Sequence, residues 1–176
     1  MLKNEILETL KARRSCRDFK SEQIRDEELD AILEAGTYAP TGMGKQSPIM
    51  IAVQNKDDIA ELERINAEIF GKPDSNPFYG APTVIVVLAD ADRPTAVYDG
   101  SLVMGNLLNA AASVGVDSCW IHRAKETFER EDGRTLLKKW GIEGNYIGIG
   151  NCVLGYAASS PSPALPRKTV YITKVK

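Results

Sequence analysis

The chain has 176 residues, a net charge of −2, 43% hydrophobic residues and 26% charged residues. A globular chain of this size buries roughly 70% of its unfolded surface, so it needs no disulfide or metal to fold, and a general nucleic-acid binder would be basic. The three cysteines, Cys16, Cys119 and Cys152, are scattered and odd in number, and the single histidine, His122, has no ligand-spaced partner; neither a zinc site nor a disulfide framework is expected, and a reducing, cytoplasmic setting is.

In chain order, Leu2, Ile6 and Leu10 recur at helical spacing and predict a helix over about Lys3 to Arg13. The segment is charged and amphipathic rather than continuously apolar, so it does not read as a signal peptide. No window approaches the ~20 apolar residues of a membrane span. A second helix begins at about Asp26, where Glu27 and Glu28 suit the positive end of its dipole. Leu29, Ile32, Leu33 and Gly36 form its inner stripe, and Pro40 requires an end nearby.

"PIMIAVQ" reads as a buried strand, "DDIAELERINAEIF" as a helix and "PTVIVVLAD" as the clearest strand of the chain. "DGSLVMGNLLNAAASVGV", Asp99 to Val116, is apolar on nearly all sides and rich in small residues, the pattern of a helix buried all round. "DSCWI" is a short strand, "REDGRTLLKKWG" an exposed helix stopped by Gly141, and "NYIGIGNCVLGY" an extended, glycine-interrupted segment. "SSPSPALP" is stiff and extended, and "KTVYITKV" alternates as a closing strand. The irregular alternation lacks the β-α repeat of a doubly wound fold. It predicts one domain spanning 1–176, of class α+β, with a mixed or antiparallel sheet flanked by helices.

Two phosphate motifs fail. "GIGNCVLG" has Val153 where a dinucleotide turn needs its last glycine, and "APTGMGKQ" lacks both the first glycine and the hydroxyl residue of a P-loop. A phosphate would therefore be held by side-chain cations. "KARRSCRDFK" gathers Arg13, Arg14 and Arg17 around Ser15, and Arg167-Lys168 follows the proline-rich segment. Arginine forks grip phosphate bidentately. Cations at a helix C-terminus are also favoured by the dipole alone, so both readings stand for Arg13 and Arg14.

"RRSCRDF", "ILEAGTYAPTGMGKQSP", "YGAPTVIVV", the long helix with "DSCWI", and "GIGNCVLGYA" followed by "PRK" together resemble, in order, the FMN-dependent nitroreductase family. The resemblance implies an interlocked homodimer with a mostly antiparallel sheet flanked by helices, and FMN at the dimer interface. It implies that Arg13, Arg14, Ser15 and Arg17 contact the flavin phosphate, ribityl chain and ring edge. Arg167 and Lys168 would close on the phosphate, and Pro40, Thr41, Gly42 and Gln46 would come from the other subunit. Asn66 matches a flavin-bonding asparagine, and Ile121 and His122 would lie along the ring. Gly44 and Ser47-Pro48 depart from the family pattern.

The implied reaction passes hydride from NADH or NADPH through the flavin to a nitroaromatic, quinone or similar small-molecule acceptor. No amino-acid nucleophile is needed, and Arg17 serves as electrostatic stabiliser of the reduced ring. A flavin-binding or storage module with little turnover, and an interaction domain gripping an acidic partner, are the alternatives. Cys16 reads as pocket wall, Trp140 as an anchor at a helix end, and "GKPDSNP" as a mobile flap at the substrate entrance.

Overall fold

The computed structural model describes residues 2–176. Its elements are α1 (Glu5–Ala12), α2 (Asp26–Thr37), β1 (Pro48–Val53), α3 (Lys56–Ile69), β2 (Thr83–Asp90), α4 (Ala96–Ser113), β3 (Asp117–Ile121), α5 (Ala124–Glu129), α6 (Glu131–Lys139) and β4 (Tyr146–Gly155). The four strands form one antiparallel sheet in the order β1-β2-β4-β3. The class is α+β, as the segment order led one to expect.

The central strand explains the layering. β2 is buried from Thr83 to Ala89, and its side chains alternate between the two faces. Val84, Val86 and Leu88 pack with Leu62 and Ile65 of α3, Phe128 of α5 and Leu136 of α6. Ile85, Val87 and Ala89 pack with Leu29 and Ile32 of α2 and with Met104 and Leu107 of α4. The sheet is thus sandwiched between two helical layers.

Local chemistry sets the helix starts. The Asn4 side chain accepts from Leu7 N at 2.8 Å, and Asn55 Oδ1 accepts from Asp57 N and Asp58 N. The glycine-rich run in β4 has a packing cause. A Cβ on Gly148 would lie 2.2 Å from the Ala124 carbonyl oxygen, so the glycine lets α5 lie directly on the sheet.

Four expectations need correction. Residues 168–176 form no strand: every one is exposed, because no neighbouring strand in this chain offers them a ladder. The long helix starts at Ala96 and is not buried all round, since Val97, Tyr98 and Leu102 are exposed. The exposed region after "DSCWI" holds two helices rather than one, divided at Arg130. The 71–80 segment is pinned rather than free, with Phe78 buried in the core and Phe78 N donating to Glu63 Oε1 at 2.8 Å.

Candidate functional site

After α1 the chain runs beside β3. Ser15 forms a parallel bridge with Ser118, and Cys16 N donates to Ser118 O at 3.0 Å. Extended backbone puts residues 13, 15 and 17 on one side and residue 16 on the other. Cys16 accordingly turns into the core, where burial raises its thiol pKa and its Sγ donates to Asp18 O. Burial likewise raises the Cys119 thiol, opposed by Arg17, Ser15 and Arg13, so these three side chains surround one buried group.

The two arginines of the pair differ sharply. Arg14 Nη1 donates to Lys11 O at 2.8 Å and Arg13 O at 2.6 Å, so its guanidinium caps the end of α1. Arg13 Nη1 is buried and has no hydrogen-bond partner among the described residues. A buried donor of a charged group left unpaired is costly, and an anion would satisfy it. Beside it opens a groove of about 830 Å³, walled by Thr9, Arg13, Arg14, Ser118, Pro161 and Ala164. Glu8 and Asp117 also line this groove, whereas half-buried Ser15 and exposed Arg17 follow along the same extended segment outside its walls.

The root of the C-terminal arm is stitched to this segment. Lys20 N donates to Tyr156 O and Ala158 N to Asp18 O, both at 2.9 Å, while Ala157 N donates to Asp117 Oδ2 at 3.1 Å. Tyr156 OH donates to buried Glu28 at 2.6 Å. Arg25 and then Tyr156 hold the Glu28 carboxyl down at about 2. Beyond Ala164 the arm leaves the groove. Arg167 and Lys168 are exposed and share no cavity with residues 13–17 in the single chain.

The loop from Pro40 to Ser47 lies at the other end of α4. Asp99, buried in the first turn of that helix, accepts from Gly42 N at 3.0 Å, Thr95 Oγ1 at 2.9 Å and Ser47 Oγ at 3.5 Å. A Cβ on Gly42 would meet Thr95 Oγ1 at 2.5 Å, so glycine is what permits that approach. Thr41 Oγ1 accepts from Gln46 N at 2.9 Å. Met43, Gly44 and Gln46 all have left-handed backbones and, like Pro40, stand in solvent. Strain of this kind gathers at ligand-binding loops. α4 has 18 residues, a length of about 27 Å, which keeps this loop apart from Arg13 in one chain.

The third piece is the turn from β3 to α5. Ile121 is buried, His122 is exposed and Arg123 is left-handed, with φ 76. Asn66 is fully buried and its amide is engaged: Nδ2 donates to His122 O at 2.9 Å, and Oδ1 accepts from Arg123 Nε at 3.1 Å. Asn66 therefore positions the turn rather than opening onto a ligand. Trp140 caps α6 and donates to Asp58 at 2.9 Å, the anchor its place suggested.

Asp99, Asp117 and Arg123 escape the sequence reading. An acid opening an apolar helix was the available signal for Asp99. Nothing local marks the other two.

The nitroreductase family model matches residues 10–156. A nitroreductase with bound FMN from Bacteroides fragilis is 34% identical, with a TM-score of 0.91 over 99% of this chain and all of that one. A second, from Desulfitobacterium hafniense and also with bound FMN, is 31% identical, with a TM-score of 0.89 over 99% and 100% of the two chains. The FMN reductase [NAD(P)H] of Bacillus subtilis is 24% identical over 95% of this chain and 72% of its own. On the match of its sequence and the coincidence of its fold, this chain belongs to the nitroreductase family.

Proposed function

We propose that the protein is an FMN-dependent oxidoreductase. It would work as a homodimer, draw electrons from NADH or NADPH, and deliver them to a nitroaromatic, quinone or similar electron-poor acceptor. The observation that carries the reading is the buried, partnerless Arg13 Nη1 beside Ser15 and Arg17, in a chain whose solved relatives hold FMN. When bound, FMN supplies the two-electron exchange between donor and acceptor.

The chain's own residues position and polarise. Arg13 and Ser15 bind the phosphate, and Arg14 acts indirectly by fixing the helix end from which Arg13 projects. Arg17 stabilises negative charge at the polar edge of the ring. Ile121 and His122 line the ring through a turn that Asn66 holds. Pro40, Thr41, Gly42 and Gln46 of a second copy complete the pocket, and Arg167 and Lys168 fold over the phosphate once the arm is docked.

Three unpartnered apolar surfaces support the dimer. α1 buries no residue, and Ile6 on its stripe is 73% exposed. Tyr98 on α4 is 71% exposed, and Val170, Tyr171, Ile172 and Val175 of the arm lie open to solvent. Apolar surface of this extent marks an interaction face, and the alternating arm suits pairing with a second copy's sheet. Among the described residues no helix is long and apolar enough to cross a membrane. A cytoplasmic location and a single domain over 1–176 complete the reading.

Purified protein should be yellow, and anaerobic NADH or NADPH should bleach the flavin. Colourless protein that takes up no FMN contradicts the reading. Bound flavin that neither nucleotide bleaches favours a storage module instead. Arg17→Ala should lower turnover more than flavin retention and Arg167→Ala the reverse; equal flavin loss in both removes that division of roles.

A further inference from the structure

Four cations on the α3–α5–α6 surface are neutralised, whereas Lys56, Arg134 and Lys138 form no ion pair among the described residues and stand in solvent. Arg64 pairs with Glu61, Glu68 and Asp132, Arg130 with Glu68 and Asp132, Lys125 with Glu129, and Lys139 with Asp58. Arg123 and Lys72 differ. Neither forms an ion pair with a carboxylate among the described residues, yet both stand over the Phe70 ring. Arg123 Cζ lies 4.5 Å and Lys72 Nζ 5.2 Å from its centroid.

Phe70 is 48% exposed at the end of α3. Arg123 is fixed from three directions: its backbone is left-handed, its Nε is held by buried Asn66, and its guanidinium lies on the ring. Its two Nη groups make no hydrogen bond among the described residues and keep their donors for a ligand. The same Asn66 holds the His122 carbonyl, so the cationic patch borders directly on the Ile121–His122 turn.

We propose that Arg123, Lys72 and Phe70 form an anion-recognition subsite that takes the carboxylate of an aromatic electron acceptor. The assignment of the ligand as acceptor rests on the function proposed above. A guanidinium with free Nη donors and a locked plane suits a carboxylate geometrically. Lys72 adds a second, more mobile charge. The apolar body of the ligand meets the exposed ring edge and the neighbouring turn.

The test is calorimetric titration of the FMN-loaded protein with 4-nitrobenzoate and with its neutral methyl ester. Arg123→Gln should weaken 4-nitrobenzoate binding about tenfold, and Lys72→Gln, on an exposed loop position that folding tolerates, about threefold. The methyl ester should change less than about twofold in either variant, and added salt should erode the wild-type preference for the anion. Equal changes for the two ligands, or none in either variant, overturn the subsite. A change confined to NADPH against NADH moves the patch to the donor's phosphate and overturns the acceptor assignment. Protein that takes up no FMN contradicts the function above, and the same titration run on that flavin-free protein still decides whether the anion site exists.

Discussion

The two ends of α4 carry two half-sites built in opposite ways. At the C-terminal end, the backbone of residues 15–20 is bonded to β3 and to the arm root, and the side chains of Arg13 and Arg17 are left free to bind. At the N-terminal end, the loop backbone is strained at Met43 and Gln46, and one buried carboxylate, Asp99, ties it down. The first half offers cations on a rigid edge; the second offers a shaped, exposed loop. A helix about 27 Å long separates them, so on the proposed reading each site takes one half from each of two copies.

The comparison breaks most completely if the arm is removed. Among the described residues, 160–176 make no hydrogen bond to any other segment. Deleting them should leave the circular dichroism and unfolding midpoint of the subunit nearly unchanged, while light scattering reports monomer and flavin absorbance is lost. Retained dimer and retained flavin would show that the arm does not join the halves.

Arg13→Ala tests the first half directly. Loss of a charged hydrogen bond worth about 1.5–3 kcal/mol raises the FMN dissociation constant roughly 10- to 150-fold, read by fluorescence titration. Asp99→Ala tests the second. It strands the half-buried Gly42 N–H and Thr95 hydroxyl, at a cost of about 1–3 kcal/mol for each donor left without water, read by chemical denaturation. An unchanged midpoint would mean that the loop is held by something else.

Smaller effects sharpen the contrast. Glu28 is held near 2 when folded and titrates near ~4.3 when unfolded. Its contribution is complete above the unfolded value and is lost as pH falls toward 2. The wild-type denaturation midpoint should therefore drop more steeply than that of Glu28→Gln between pH ~5 and ~2; parallel curves contradict the assignment. Arg14→Ala should change FMN affinity by less than about twofold, because that guanidinium already serves the Lys11 and Arg13 carbonyls.

Much of this architecture is legible in the chain. The β-branched run of β2 and the apolar stripe of α2 each follow from local rules. So does the gathering of Arg13, Ser15 and Arg17, since extended backbone returns alternate residues to one side. What stays hidden is relational. Two adjacent arginines at a helix end look alike, and only the packed chain shows that Arg14 turns back to the carbonyls while Arg13 does not. "KTVYITKV" alternates like a strand, but a strand needs a neighbour, and within one copy there is none. The apolar stripe of α1 and the Val97, Tyr98 and Leu102 positions of α4 likewise read as core and stand in solvent. Arg123 carries no local signal at all, since its place depends on Asn66, which lies 57 positions earlier in the chain.

Complementation between copies addresses the central claim most directly. Arg13→Ala and Gly42→Val each disable one half of every site, the second because a branched side chain collides with Thr95. At an FMN concentration that just saturates the wild type, neither variant alone should hold much flavin. Unfolded together and refolded at equal amounts, random pairing makes about half the dimers mixed, each with one intact site, so flavin stoichiometry should recover to about a quarter of the wild-type value. A mixture that binds no more flavin than its two parents would place each site within a single chain and contradict the account.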